Sequence, residues 1–418
     1  MAKDTAPTAL QAWHNSFVAQ YYGTLGAYDA EGIFIADGTY LFVPDNPKYE
    51  GSDRLVFDED NHPVNSNEIE SLPTERKLRL HRERCYRKVS LLHTTWEKDF
   101  YLYTGVNVRG GRAAECPQLR PLVDGFVQAL GKGIMKVLVH DRGFIDGATV
   151  SHNKRVNEVD TVFPLKKRMD CWEEAWCLAE LSRDPWKESR PRESLPEEEP
   201  GIRPEFIRRR ERKRQATLQQ KKKTPSDSQK QKPTLVRTLA KAIRDLRIWQ
   251  SCEVPIHTVA LRDEYDNGEE RRWVLATTME FEDVFRPRQY YQLRPTVEER
   301  FRQTKCFWDL ANFRSTSFAL VVNQLVFVLM AYSLVQIFLL KTGRKELARR
   351  VRTRLLEELM HQEDQFAIYC DGRVAFVPHQ EFHEILLTLD EHARRKILGK
   401  IREIRARKTA PPEKPWRP

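Results

Sequence analysis

Tyr291, Arg294, Glu298 and Lys305 fall within one stretch, YYQLRPTVEERFRQTKCFWD at 290–309, and their types and spacing could do chemistry. Counted from Tyr291, the offsets are 3, 7 and 14. At about 100° per residue, each returns to the same face of a helix. One carboxylate then sits among two cations and a phenol. Such surroundings keep an acid ionised and let it hold a hard metal ion beside phosphates. An ordinary amphipathic helix with solvated charges uses the same residue types. Pro295 favours the first turn of a helix, so Tyr291 and Arg294 can also fall on the approach to it.

Two further acids end apolar runs. Asp37 follows Ile33, Phe34, Ile35 and Ala36, the continuous pattern of a strand buried on both faces. An acid there is costly unless it has a partner or a metal. The alternative is a hairpin turn begun by Asp37-Gly38. Asp141 follows Val137, Leu138, Val139 and His140, and functional side chains gather at strand ends in α/β sheets. The alternative there is an Asp that caps the next turn.

The elements that must position these acids can be read in order. A helical lead-in covers Leu10–Tyr22, residues 44–76 read as a polar surface loop, and two strands follow at 83–95 and 99–108. Cys116–Leu130 has helical periodicity at Leu119, Leu122, Val123, Phe126, Val127 and Leu130. A short strand is expected within Asn157–Lys166, a hairpin turning at Asp266-Asn267-Gly268, and a last strand at Trp273–Thr278. Between Arg203 and Lys223 there are ten Lys or Arg against two Glu, which reads as an exposed basic insertion. Ser315–Leu340 carries no formal charge. Its length permits a membrane span flanked by Lys341, Arg344 and Lys345. Asn323, Gln324, Ser333 and Gln336 in its middle favour a buried core helix instead.

With 418 residues the chain can bury a large core, and a net charge of +10 with pI near 9.2 favours polyanions. The seven Cys are scattered, with no CxxC pair, so a zinc knuckle or disulfide framework is not expected. The first residues lack the charged-then-apolar run of a signal peptide.

Tyr-x2-Arg-x3-Glu-x6-Lys, complete at Tyr291, Arg294, Glu298 and Lys305, is the YREK pattern. It resembles the insertion-sequence DDE transposases of the family-4 type, in which the Glu is the third catalytic acid. In that family the first acid sits in a context like ADGT, as Ala36–Thr39 does, and the second in one like DRGF, as Asp141–Phe144 does. The resemblance covers about residues 30–345. It implies an α/β fold with a ribonuclease H-like mixed sheet flanked by helices, a large insertion before the last catalytic helix, and a helical basic tail. The expected divisions are a lead-in at 1–30, core at 31–165, insertion at 166–270, core again at 271–345 and tail at 346–418. It further implies catalytic and metal-holding roles for Asp37, Asp141 and Glu298, with two Mg²⁺ ions for which Mn²⁺ can substitute. Tyr291, Arg294 and Lys305 would contact DNA. The partners implied are double-stranded DNA and a second copy in the synaptic complex, with no membrane, in a bacterial cytosol at the nucleoid.

This sequence also departs from the family. Only 36 residues precede Asp37, where members usually carry a DNA-binding domain. Trp172, Trp176 and Trp186 are candidates for the family's base-stacking Trp, although such a trio more often packs. Competing readings are a domesticated or defective relative that binds DNA without transposing, and a single-span membrane protein with a basic cytoplasmic tail.

Overall fold

A helical lead-in of α1 (Ala9–Trp13), one π-helical turn (His14–Val18) and α2 (Ala19–Thr24) brings the chain to β1 (Ile33–Val43). This computed structural model describes residues 8–96, 100–190, 233–308, 310, 312–343, 365–370 and 373–409. The basic run at 203–223, much of the cluster at 341–354 and the last residues, 410–418, lie outside the described residues. The chain divides into two compact units, Met1–Ala348 and Arg349–Pro418.

In the first unit, β1 runs straight through Asp37-Gly38, so the hairpin-turn alternative does not hold. Asp37 pairs with Ser90 and Gly38 with Val89 in an unbroken antiparallel ladder to β3 (His81–Thr94). Leu41 and Val43 further along β1 are buried, and a turn at Asp37 would have pulled them out of the core. Residues 44–76 are not a plain loop. They hold β2 (Asp53–Phe57), α3 (Ser66–Ser71) and α4 (Thr74–Lys77). Glu68 reaches back to the backbone N–H of Asn65, a start signal for α3 spaced Asn-x-x-Glu.

Next come β4 (Tyr101–Gly110), α5 (Cys116–Leu130), β5 (Val137–His140), a 3₁₀ turn (Arg142–Phe144), α6 (Gly147–Arg155) and β6 (Asp160–Pro164). They are followed by α7 (Asp170–Leu181), β7 (Lys187–Ser189), β8 (Leu235–Leu246), β9 (Ile256–Tyr265) and β10 (Glu270–Thr277). The unit's last helices are α8 (Arg286–Tyr291), α9 (Thr296–Phe307) and α10 (Phe318–Lys341).

Ten strands join in one mixed sheet flanked by helices, the ribonuclease H-like arrangement. Its order is β2-β3-β1-β5-β6-β10-β9-β8-β7, with β4 also on β3. The pairs β1–β5 and β5–β6 are parallel; the others are antiparallel. The strands of 187–277 therefore extend the central sheet through β6–β10 pairing.

The alternation of β1 explains its continuous apolar run. Phe34 and Ala36 pack with Leu119, Leu122, Val123 and Phe126 of α5. Ile33 and Ile35 belong to the opposite cluster, with Val297 and Phe301 of α9 and Leu325, Leu329 and Tyr332 of α10. Asp37 follows Ile35 by two residues, so strand geometry turns it toward α9.

The outer edge of β4 is covered by the lead-in. Gln11 accepts from the Val108 N–H, and Asn15 both accepts from the Val106 N–H and donates to its carbonyl. These contacts close an edge that would otherwise be open to pairing.

One face of α10 is buried on the sheet, while Phe327, Leu334 and Phe338 on its other side are exposed. Gln324 donates to the Asn312 carbonyl and accepts from the Arg314 N–H. The buried amide of Gln336 has no hydrogen-bond partner among the described residues. The helix is long and apolar enough to cross a membrane by length and composition.

Ser333 has a specific task. A bulge shifts the β3–β4 register between Leu91 and Leu92, and Ser333 Oγ accepts the Tyr103 N–H at 3.0 Å. Ser333→Ala leaves that buried donor unpaired and is expected to cost about 1–3 kcal/mol in urea unfolding. An unchanged midpoint would mean the donor finds another acceptor.

The second unit holds a hairpin of β11 (Gln365–Cys370) and β12 (Arg373–Pro378), then α11 (His379–Thr388) and α12 (Glu391–Thr409). Part of the basic cluster at 394–408 is structural. Arg394 donates to the carbonyls of Leu386, Leu387 and Leu389 at the end of α11, where cations complement the helix dipole.

Candidate active site

The parallel β1–β5 register ends at Ala36 opposite His140, so Asp37 and Asp141 are the next residues on adjacent strands. There the strands part. β1 continues along β3, while the chain after β5 enters the 3₁₀ turn, in which the Gly143 N–H donates to Asp141 Oδ1. The capping role weighed for Asp141 is thus present, and it leaves the other carboxylate oxygen, Oδ2, facing Arg294.

Arg294 joins the three acids. Its Nη2 donates to Asp37 Oδ1 at 3.0 Å and lies 3.4 Å from Asp141 Oδ2. Its Nη1 donates to Glu298 Oε1 at 2.8 Å. Solvent exposure of the acids rises across the site, from 5% for the Asp37 side chain to 34% for Asp141 and 66% for Glu298. Burial pushes the Asp37 carboxyl up to about 7, with the Asp141 charge adding to the shift and Arg294 opposing it. An acid with this preference needs a cation beside it to stay ionised.

The four YREK residues do not share one helix. α8 ends at Tyr291, Arg294 lies in the connecting turn, and α9 begins after Pro295. Proline cannot supply the N–H that an unbroken helix requires, so the chain starts a new helix there. The break lets Arg294 turn back onto the acids. Glu298 sits in the first turn of α9, and Lys305 in its last. Lys305 Nζ donates to Thr39 Oγ1 at 2.7 Å and to the Tyr40 carbonyl at 2.8 Å, just beyond Asp37 on β1. Tyr291 is half-buried, with its ring 6.0 Å from that of Trp273, and burial pushes its phenol up. Arg294 and Lys305 are thus brought to the acid-bearing strand, and Tyr291 packs against Trp273 of β10.

His140 and Arg142 add little to this cluster. His140 is stacked on Phe163 at 4.9 Å, and burial holds its imidazole down at about 4, so it is neutral. Arg142 is exposed. Trp172, Trp176 and Trp186 form a column, the first two rings 5.7 Å apart and the last two 5.8 Å. Arg272 lies over Trp176 at 5.2 Å and Arg262 over Trp186 at 5.1 Å, so the trio packs among cations.

Sequence reading missed Glu115, Arg87 and Lys88. Glu115 stands just before α5, paired to Arg87 at 2.5 Å. Lys88 is fully buried, with Nζ 4.4 Å from the Phe301 ring and no hydrogen-bond partner among the described residues. Burial holds its amine well below the usual lysine range. No spacing marks these residues, because only the folding of β3 and α5 onto β1 brings them to the site.

Among the described residues, no three acidic, His or Cys side chains converge at metal-bonding distance. The guanidinium of Arg294 lies between the three acids. The donor set itself suits a hard divalent ion, since it consists only of carboxylate oxygens, and the buried Asp37 requires a cation. No curated protein matches the chain. A family model, described as the transposase DDE domain, matches residues 31–334. That span holds every acid of this cluster, and by it the chain belongs to the DDE transposase family, whose enzymes act on DNA and use divalent metal ions.

Proposed function

We propose that the protein is a cut-and-paste DNA transposase of the family-4 insertion-sequence type. It cleaves strands at the ends of its element and joins the 3′-ends to target DNA, working as a homodimer on nucleoid DNA in the bacterial cytosol. The observation that carries this reading is Arg294, one guanidinium spanning acids from β1, the end of β5 and α9.

Asp37, Asp141 and Glu298 would hold two Mg²⁺ ions, with Mn²⁺ able to substitute. Ions held there would supply activation of a water or 3′-hydroxyl and stabilisation of the leaving oxygen. The chain's own residues do the rest. β1, paired to β3 through Asp37, fixes that acid, and α9 presents Glu298 from the solvent side. Arg294 offers a planar fork that matches phosphate as well as carboxylate. Lys305, held at Thr39 and Tyr40, and Tyr291 flank the path of the substrate backbone.

Purified protein with a linear duplex carrying the element's terminal inverted repeats tests this. Nicks at the element boundary that need Mg²⁺ and vanish with EDTA are the expected result. Tight DNA binding without such nicks would favour a relative that binds without transposing.

Binding itself should depend steeply on salt. The basic runs at 203–223, 341–354 and 394–408 neutralise phosphates without reading bases. Preference for element ends over random duplex is expected to be about tenfold or less, against about 10³ or more for specific binders. Competition at near-physiological salt measures it, and a thousandfold preference would reveal a recognition element in one of these segments.

A further inference from the structure

We infer that Glu115 is a positioning residue that sets the spacing between Asp37 and Asp141. The inference rests on the proposed function and adds a residue to it. β1 and β5 separate just past Ala36 and His140, and no backbone pairing fixes how far apart the two acids stand beyond that point. The Glu115 carboxylate fills the gap. A methyl group built on Gly38 would overlap Glu115 Oε1, and one built on Gly143 would come within 2.7 Å of Glu115 Oε2 and 3.0 Å of Asp141 Oδ1. Gly38, directly after Asp37, and Gly143, two residues after Asp141, therefore make room for the same carboxylate.

Neither glycine is there for its backbone conformation. Neither takes a positive φ, so ordinary residues would fit the chain path. The space taken by Glu115 is what excludes a side chain at both positions.

Glu115 is itself held in place. Arg87 pairs with it at 2.5 Å, and both side chains are largely buried, at 16% and 13% exposure. The Arg87 guanidinium lies 4.0 Å over the ring of Tyr40, its partner in the β1–β3 ladder. β3, β1 and the start of α5 thus fix one carboxylate between the two acid-bearing segments. Gly38 follows Phe34 and Ala36 at two-residue intervals, so it faces the α5 side of the sheet, whereas Asp37 faces α9. Glu115 acts from behind the acids as a spacer. A support of this kind must hold ligands to within about 0.5 Å.

Mn²⁺ titration by calorimetry, paired with the Mg²⁺ dependence of nicking, tests the inference on the full chain. Glu115→Gln keeps the shape and should bind Mn²⁺ within about threefold of the unmutated protein. Glu115→Ala should weaken Mn²⁺ binding about tenfold or more, as losses of supporting residues do, with duplex binding retained. Gly38→Ala should displace Glu115 and match Glu115→Ala. The double variant should be no worse than the poorer single one, because both remove one contact.

Glu115→Ala with unchanged Mn²⁺ affinity in a nicking-competent background would overturn this inference alone. So would Glu115→Gln as impaired as Glu115→Ala, because charge rather than shape would then matter. Additive losses in the double variant would also count against it. If the unmutated protein neither binds Mn²⁺ nor nicks, the proposed function itself falls.

Discussion

Asp37→Asn is expected to reduce Mg²⁺-dependent nicking by about 10³-fold or more, the loss of several kcal/mol of metal-held stabilisation. Duplex binding should stay within about twofold. Asn keeps the size of Asp and can still accept from the Gly38 N–H, as Asp37 Oδ1 does at 2.9 Å. Only the charge is lost. Asp37 itself is held by the unbroken ladder from β1 to β3. Glu298→Gln gives an independent check from the exposed end of the cluster. Its side chain is 66% exposed, so folding stability should scarcely change while nicking falls to a similar degree. Equal loss of nicking and DNA binding in either variant would mean a structural role and would count against the assignment.

Arg294→Gln should have the largest effect on stability. Without metal, this side chain is the cation shared by three carboxylates, and Asp37 is almost wholly buried. Removing one partner of a buried pair costs about 3–5 kcal/mol, because the other charge is left uncompensated. The loss should shrink on adding Mg²⁺ and on lowering pH.

The sign of the pH effect follows from Asp37. Its folded-state value is raised by burial to about 7 from an ordinary 3.8. The folded protein therefore holds the proton more tightly than the unfolded chain. The stability from Asp37 is fully present below about 3.8 and is lost as pH rises through about 7, on the order of 1 kcal/mol per pH unit between them. Removing Arg294 takes away an opposing influence and should push this window upward. Thermal melts at pH 5.5 and 8, with and without Mg²⁺, read both effects. A variant insensitive to pH and metal would show that Arg294 does not compensate these acids.

Much of this arrangement is legible in the sequence where one element decides it. Helix α5 spans the periodic stretch Cys116–Leu130. The runs at 33–36 and 137–139 lie in neighbouring parallel strands, and the Asp266–Gly268 turn joins β9 to β10 with Gly268 at φ 80°. Local signals fail where tertiary contacts decide. Asp37-Gly38 has turn chemistry, but the unbroken ladder from β1 to β3 overrides it. The YREK spacing fits one helix face, but Pro295, a local signal read from the sequence, starts a new helix and leaves Arg294 on its approach. Glu115 in RAAECP carries no pattern, since its place depends on two glycines in distant segments. The 44–76 stretch is polar on average, and its Asn65–Glu68 start signal is too short to stand out against that.

The central claim is that Asp37, Asp141 and Glu298 form one metal-binding centre occupied by Arg294 in the metal-free state. A crystal soaked in Mn²⁺ and measured at the manganese absorption edge tests it most directly. The expected result is anomalous density bounded by these three carboxylates, with the Arg294 guanidinium moved off Asp37. Manganese bound elsewhere, or Arg294 still bridging the three acids at saturating Mn²⁺, would contradict it.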